Sequence, residues 1–279
     1  MDNTNDNSAA NNEAENRPVK KPRTTKPGPP RGKKQPLDLS SMSPRKQQIM
    51  ASFAAYRDTL DEHYDQRERI IKCSRDITAL SKKMVFALLR ITQDSPENVF
   101  ADVEAKHKLV LELFEKLSKE LAGSNATKYN RQATPGIQEY IEAVGLWRFL
   151  QHNELVTPEQ VLAGLTPDNE TMPMIPISDE DYLLGVCDLP GEVNRYCINS
   201  IGKGDRDAVH RSLEFLRALK EGVSLLLCTR RFRDVEKKMP VLESSLEKIE
   251  KAFYSMCIRE SEMQNISTNH PVAVEMDTC

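Results

Sequence analysis

Residues 67–92 read RERIIKCSRDITALSKKMVFALLRIT, and their spacing settles the structural class. Apolar residues recur at Ile70, Cys73, Ile77, Leu80, Met84, Leu88 and Ile91, three or four apart, the period of one face of an α-helix. The pattern extends backwards without a break. Ser43 is a good N-cap, Pro44 suits the first helical position, and no glycine or proline follows until after Gln93. Such a helix would span roughly 75 Å at 1.5 Å per residue, which calls for an elongated bundle or a partner.

The rest of the chain is punctuated in the same way. A second helix starts near Pro96 and stops around Gly123, and a polar loop, SNATKYNRQA, follows it. Thr134–Pro135 and Thr157–Pro158 each read as a cap followed by a first-turn proline, opening IQEYIEAVGLWRFLQHNE and the short EQVLAGL. A Pro/Met-rich loop leads to a helix over about 180–201, closed by the glycines of IGKGD, and Asp205 caps the next one. The last helix carries Val235, Met239, Leu242, Leu246, Ile249, Phe253 and Met256, alternately four and three apart. That is a heptad seam, buried either within the chain or in an oligomer; Pro240 should kink it. No segment alternates like a strand, so the expected class is all-α.

Three regions follow: a disordered basic tail over 1–40, a helical domain over 41–262 and a flexible tail over 263–279. The formal net charge is −3, yet residues 17–34 hold eight Lys/Arg and no acid. Within them Lys20, Lys21, Arg23, Arg31, Lys33 and Lys34 form a two-part basic cluster, suited to nuclear import or to brushing against RNA. The six cysteines show no CxxC spacing and follow no secretory signal, which reads as reduced thiols in the cytoplasm or nucleus and argues against zinc. No HExxH, GxSxG, Walker loop or GxGxxG is present.

Chemistry points to carboxylates. In GVCDLPGEVNRYC (185–197), Asp188 and Glu192 lie on a helix that is apolar around most of its circumference. A buried carboxylate is costly unless paired or metal-bound, so these two face either Arg195 or a lysine of another helix, or a divalent metal. Glu139 and Glu142, three apart in QEYIEAV, are neighbours on the polar side of their own helix and read alone as a solvated face. Two such pairs facing each other would form an all-oxygen site for a hard cation, able to activate water against a phosphodiester. Basic residues gather at Arg69, Lys72, Arg75, Lys82 and Lys83, and again at Arg230, Arg231 and Arg233. These are solvated faces, or the neutralising groups an RNA backbone needs.

In this order, RERIIKCSRDITALSKKMVFALLRIT, QEYIEAV, DYLLGVCDLPGEVNRYCINSIGKGD and VEKKMPVLESSLEKIEKAFYSM resemble the translin family, on its translin-associated factor X branch rather than translin itself. The resemblance implies a seven-helix all-α fold that assembles with translin into a hollow hetero-octamer. It implies an Mg²⁺-dependent endoribonuclease, with Mn²⁺ as a substitute, that cleaves single-stranded or nicked RNA in passenger-strand removal and tRNA leader processing. Single-stranded DNA is a second ligand to expect, in the cytoplasm and the nucleus. The family's catalytic acids fall on Glu139, Glu142 and Asp188, with Glu192 as a further metal ligand. Without catalysis, the same features would suit a scaffold that stabilises translin and grips nucleic acid. One departure is Pro190, where the family usually has a hydroxyl residue; inside a helix it removes a hydrogen bond and costs about 3 kcal/mol.

Overall fold

A computed structural model describes residues 43–167 and 172–268. The basic cluster between Lys20 and Lys34, the 1–40 tail and residues 269–279 lie outside them. The chain divides into two units, Met1–Ala54 and Ala55–Cys279. In the first, only the opening turns of α1 are described, and their side chains are mostly exposed. Everything below concerns the second.

The helices are α1 (Pro44–Leu88, followed by a 3₁₀ turn over Leu89–Thr92), α2 (Pro96–Glu120), α3 (Asn125–His152), α4 (Pro158–Gly164), α5 (Asp179–Ile201), α6 (Arg206–Thr229) and α7 (Arg233–Thr268). No strand occurs among the described residues, so the fold is all-α. Local chemistry sets the boundaries. Ser95 Oγ accepts from the Asn98 N–H, Thr157 and Gln160 form a reciprocal capping box, and the Ser178 and Asp205 side chains accept from Asp181 and Ala208. Asn153 ends α3 at φ 56° and Gly204 turns the chain at φ +73°, the left-handed region that closes helices.

Along α1, Ile70, Ile77, Met84 and Leu88 are fully buried. The α7 seam is also spent inside the chain: Val235, Leu242, Leu246 and Ile249 are buried where α7 packs on α5 and α6. That helix continues to Thr268, past the expected boundary at 262.

Thr134–Pro135 does not start a helix. α3 begins at Asn125, and Pro135 lies inside it, as Pro190 and Pro240 lie inside α5 and α7. Tertiary contacts explain the extra turns of α3. Tyr129 is buried with its hydroxyl 2.7 Å from His63 Nδ1, Ala133 is fully buried, and the Gly136 N–H donates to Ser74 Oγ at 3.1 Å. These anchors offset the bond that Pro135 cannot make. A Cβ on Gly136 would lie 2.9 Å from the Ser74 carbonyl oxygen, so glycine is what lets α1 and α3 meet there.

Candidate active site

The closest approach of α3 to α5 sets up the site. At Gly185 of α5, an added Cβ would stand 2.7 Å from Ile141 Cβ and 2.8 Å from the Gln138 carbonyl oxygen. A second link lies one turn before Gly185. Asp181, 5% exposed, accepts from Gln138 Nε2 at 3.0 Å and from Ser178 Oγ at 2.7 Å. With the two helices held this near, Glu139 and Glu142 of α3 come to face Asp188 and Glu192 of α5. All four line one cavity of about 410 Å³, together with Lys82, Val85 and Phe86 of α1 and Arg195 of α5.

Cations of three helices balance most of this charge. Lys82 Nζ is 3.0 Å from Glu139 Oε1, Arg195 Nη1 is 3.0 Å from Glu192 Oε2, and Lys238 Nζ of α7 pairs with Asp188 Oδ1. Glu142 has no ion-pair partner among the described residues. Burial, then Glu139, Asp188 and Glu192 around it, push its carboxyl up to about 8. Burial also raises Glu192, against the pull of Arg195. Its Oε2 is buried and lacks a hydrogen-bond donor although Arg195 is near, because proximity alone does not make the bond.

Several expectations change. Glu139 and Glu142 are half-buried in the cavity wall, not on a solvated face. Asp188 is not buried: its side chain is 43% exposed, at the mouth of the cavity, and the buried acid of α5 is Asp181. Of the basic residues on α1, only Lys82 lines the cavity, where Glu139 already holds it and raises its pKa. Arg69 is bound to Glu120 by two hydrogen bonds, while Lys72, Arg75 and Lys83 are exposed. Arg230, Arg231 and Arg233 are exposed around the start of α7 and line no wall of this cavity. Asp188 does meet a lysine of another helix, Lys238, whose identity no spacing gives because the two are 50 residues apart.

A more apolar cavity of about 570 Å³ opens on the far side of α5, against α6, with Tyr182, Val186, Cys187, Phe215 and Leu219 in its walls. It holds no set of acids and bases. Burial pushes the Cys187 thiol up to about 11 and that of Cys197 to about 12, so neither is a nucleophile at neutral pH.

Comparison with known proteins places this geometry. Residues 65–260 match the translin family. The chain belongs to the translin family. It is 36% identical over 245 residues to the translin-associated protein X of Pongo abelii, across 81% of this chain and 83% of that one. The corresponding homolog of Schizosaccharomyces pombe is 31% identical over 231 residues, covering 81% and 93%. Human translin matches a shorter stretch, 31% over 113 residues and 40% of this chain. Among solved structures, apo-NeC3PO superposes with a TM-score of 0.59 at 18% identity, covering 77% of this chain and 99% of that one. The complex of AfC3PO with duplex RNA gives 0.55 at 20%, covering 75% and 97%. Both likenesses concern the fold.

The fit of this cavity to a hard cation follows from its own donors. Its four acids are oxygen ligands of the type Mg²⁺ takes. One of them has no counter-ion, and another has a buried oxygen that accepts no hydrogen bond although Arg195 stands 3.0 Å from it. Both features are compatible with a cation among the acids. Among the described residues, however, no three acids already stand in ligating arrangement. Lys82, Arg195 and Lys238 each draw one carboxylate to themselves. An incoming ion would compete with these pairs, which are worth only about 0–1 kcal/mol each where exposed.

Proposed function

We propose that this chain is the cleaving subunit of an Mg²⁺-dependent endoribonuclease that it forms with translin, acting on single-stranded or nicked RNA. The observation that carries the reading is the convergence of Glu139, Glu142, Asp188 and Glu192 on one cavity, with Glu142 lacking a counter-ion. Those four residues would hold Mg²⁺. Bound there, Mg²⁺ supplies charge for the phosphate and a more acidic water. Without the ion, burial and the neighbouring acids lift the Glu142 carboxyl to about 8, so taking up Mg²⁺ at these acids would release its proton. Lys82, Arg195 and Lys238, once released from their acids, face the phosphate and neutralise it. Hetero-octamer assembly, single-stranded DNA binding, passenger-strand and tRNA leader processing, and work in both cytoplasm and nucleus belong to the same proposal.

The three ion pairs favour a second reading, a scaffold in which the acids simply tie α1 to α3 and α5 to α7, with Arg195 and Glu192 paired along α5. Cleavage of a labelled single-stranded RNA by the complex with translin, in Mg²⁺ and in EDTA, separates the two. An enzyme loses metal-dependent cleavage in Asp188→Asn while the complex keeps its size and its RNA binding. Equal cleavage by variant and wild type would remove Asp188 from the mechanism. No cleavage by either would leave the scaffold.

A further inference from the structure

One exposed side chain in the cavity wall does not belong with carboxylate chemistry. Phe86 stands on α1 one turn after Lys82, and is 62% exposed while Val85 and Ala87 beside it are buried. A phenyl ring open to water forgoes about 1.5–3 kcal/mol of burial, and α1 has core positions on either side of this one. Its surroundings make the placement specific. Phe86 lines the carboxylate cavity, and it also lines an adjoining one of about 230 Å³ with Lys83, Arg90, Asp102 and Lys106. The ring thus forms the ridge between the two cavities, with Lys82 on the acid side and Lys83 and Arg90 on the other. Arg90 and Lys106 share Asp102. Lys83 has no anion among the described residues, and no aromatic ring or cation there stacks on Phe86.

We infer that Phe86 is the stacking platform for a nucleobase of single-stranded RNA next to the phosphate held over the carboxylates, with Lys83 receiving the phosphate beyond it. An aromatic face between cations is how proteins grip single strands without reading sequence, because every base has a π-face and every linkage a charge. Phe86 would fix where the strand lies along α1, and so which linkage reaches Glu142 and Asp188. Stacking also demands an unpaired, splayed base. The ridge therefore selects single-stranded segments and ends over the interior of a duplex.

The inference rests on the proposed RNA-cleaving role, and a binding measurement in EDTA lets the two fail separately. The protein is the full chain in complex with translin, and the probe is a short labelled oligouridylate. Phe86→Ala should weaken binding between about fivefold and about a hundredfold, the usual loss for one stacked base. The slope of log affinity against log salt should stay unchanged, since no charge is removed. Lys83→Ala should lower that slope by about 0.7, one phosphate contact on a single strand. Phe86→Trp should retain affinity, and its added indole fluorescence should be quenched on binding RNA. Equal affinity of Phe86→Ala and wild type, or an unquenched Phe86→Trp, overturns the inference, whatever cleavage does. So does a Phe86→Ala complex that falls apart by size, because the ring is then covered by the neighbouring subunit. Intact RNA stacking with no cleavage in Mg²⁺ would instead overturn the proposed function alone.

Discussion

Replacing Glu142 with glutamine should make the protein more stable and inactive at once. The sign follows from its titration. Burial and three neighbouring acids lift the folded carboxyl from 4.5 to about 8, so the folded state holds a proton that the unfolded chain releases. The associated stability is fully present below 4.5 and is lost as the pH rises through 8. The difference of about 3.5 units corresponds to about 5 kcal/mol as an upper bound at 1.36 kcal/mol per unit. The group is only half-buried and water relaxes around it, so about 1–2 kcal/mol is the fraction to expect near neutrality. Glutamine has the same shape and no proton to lose. In the complex with translin, without divalent ions, melting curves of wild type and Glu142→Gln should coincide near pH 5 and separate as pH rises. By pH 8 the variant should melt about 2–8 °C higher. Added Mg²⁺ should raise the melting temperature of wild type and leave the variant nearly unmoved, because a cation that binds only the folded site stabilises it by mass action. Parallel melting curves at every pH, or a variant less stable at pH 8 than at pH 5 by as much as wild type, would refute the reasoning.

Three other perturbations probe the frame around the site. Gly185→Ala puts a methyl against Ile141 and the Gln138 carbonyl and should cost about 1–3 kcal/mol in urea unfolding; Mg²⁺ affinity, read by calorimetry, should fall with it as α3 and α5 part. Lys238→Met removes the counter-ion of Asp188, so Mg²⁺ should bind about twofold to fivefold tighter in the same assay, the worth of an exposed ion pair. His107 is half-buried, stacked on Tyr140 and 2.9 Å from its hydroxyl, and burial lowers its pKa. Its contribution is present above the ordinary value of 6.5 and is lost as the pH falls through the folded value, a loss that His107→Gln should lack in melts between pH 5 and 7.

Much of this was legible in the sequence. The α1 stripe gave the class because burial on one helix face forces a three-to-four period, and Ile70, Ile77, Met84 and Leu88 are buried as that period requires. The caps at Ser95, Thr157 and Asp205 were legible for the same reason, since a cap bonds within its own turn. Thr134–Pro135 misled because its local signature is that of a helix start. What overrides it, Tyr129 on His63 and Gly136 on Ser74, comes from residues about 60 positions away. The apolar circumference of α5 suggested a buried Asp188, yet one helix cannot tell which part of its polar strip its neighbours cover; they cover Asp181. The four acids could be named from the family motifs. Their facing one another depends on the glycine contact at Gly185. Arg195, three residues after Glu192, was legible as its partner, but no spacing rule connects Lys82 of α1 to Glu139 or Lys238 of α7 to Asp188.

The balance of charge in the cavity bears on how RNA finds it. Four carboxylates, one largely protonated near neutrality, against Lys82, Arg195 and Lys238 leave almost no net field at its mouth. Such a cavity neither repels a polyanion nor draws it in from a distance. On the proposed function, long-range attraction would fall instead to exposed cations elsewhere, among them Arg230, Arg231 and Arg233 beside the start of α7. Capture and commitment are thereby separated in space: salt should slow the encounter strongly, while the rate of departure, once a strand has settled among the acids, should depend on salt much less.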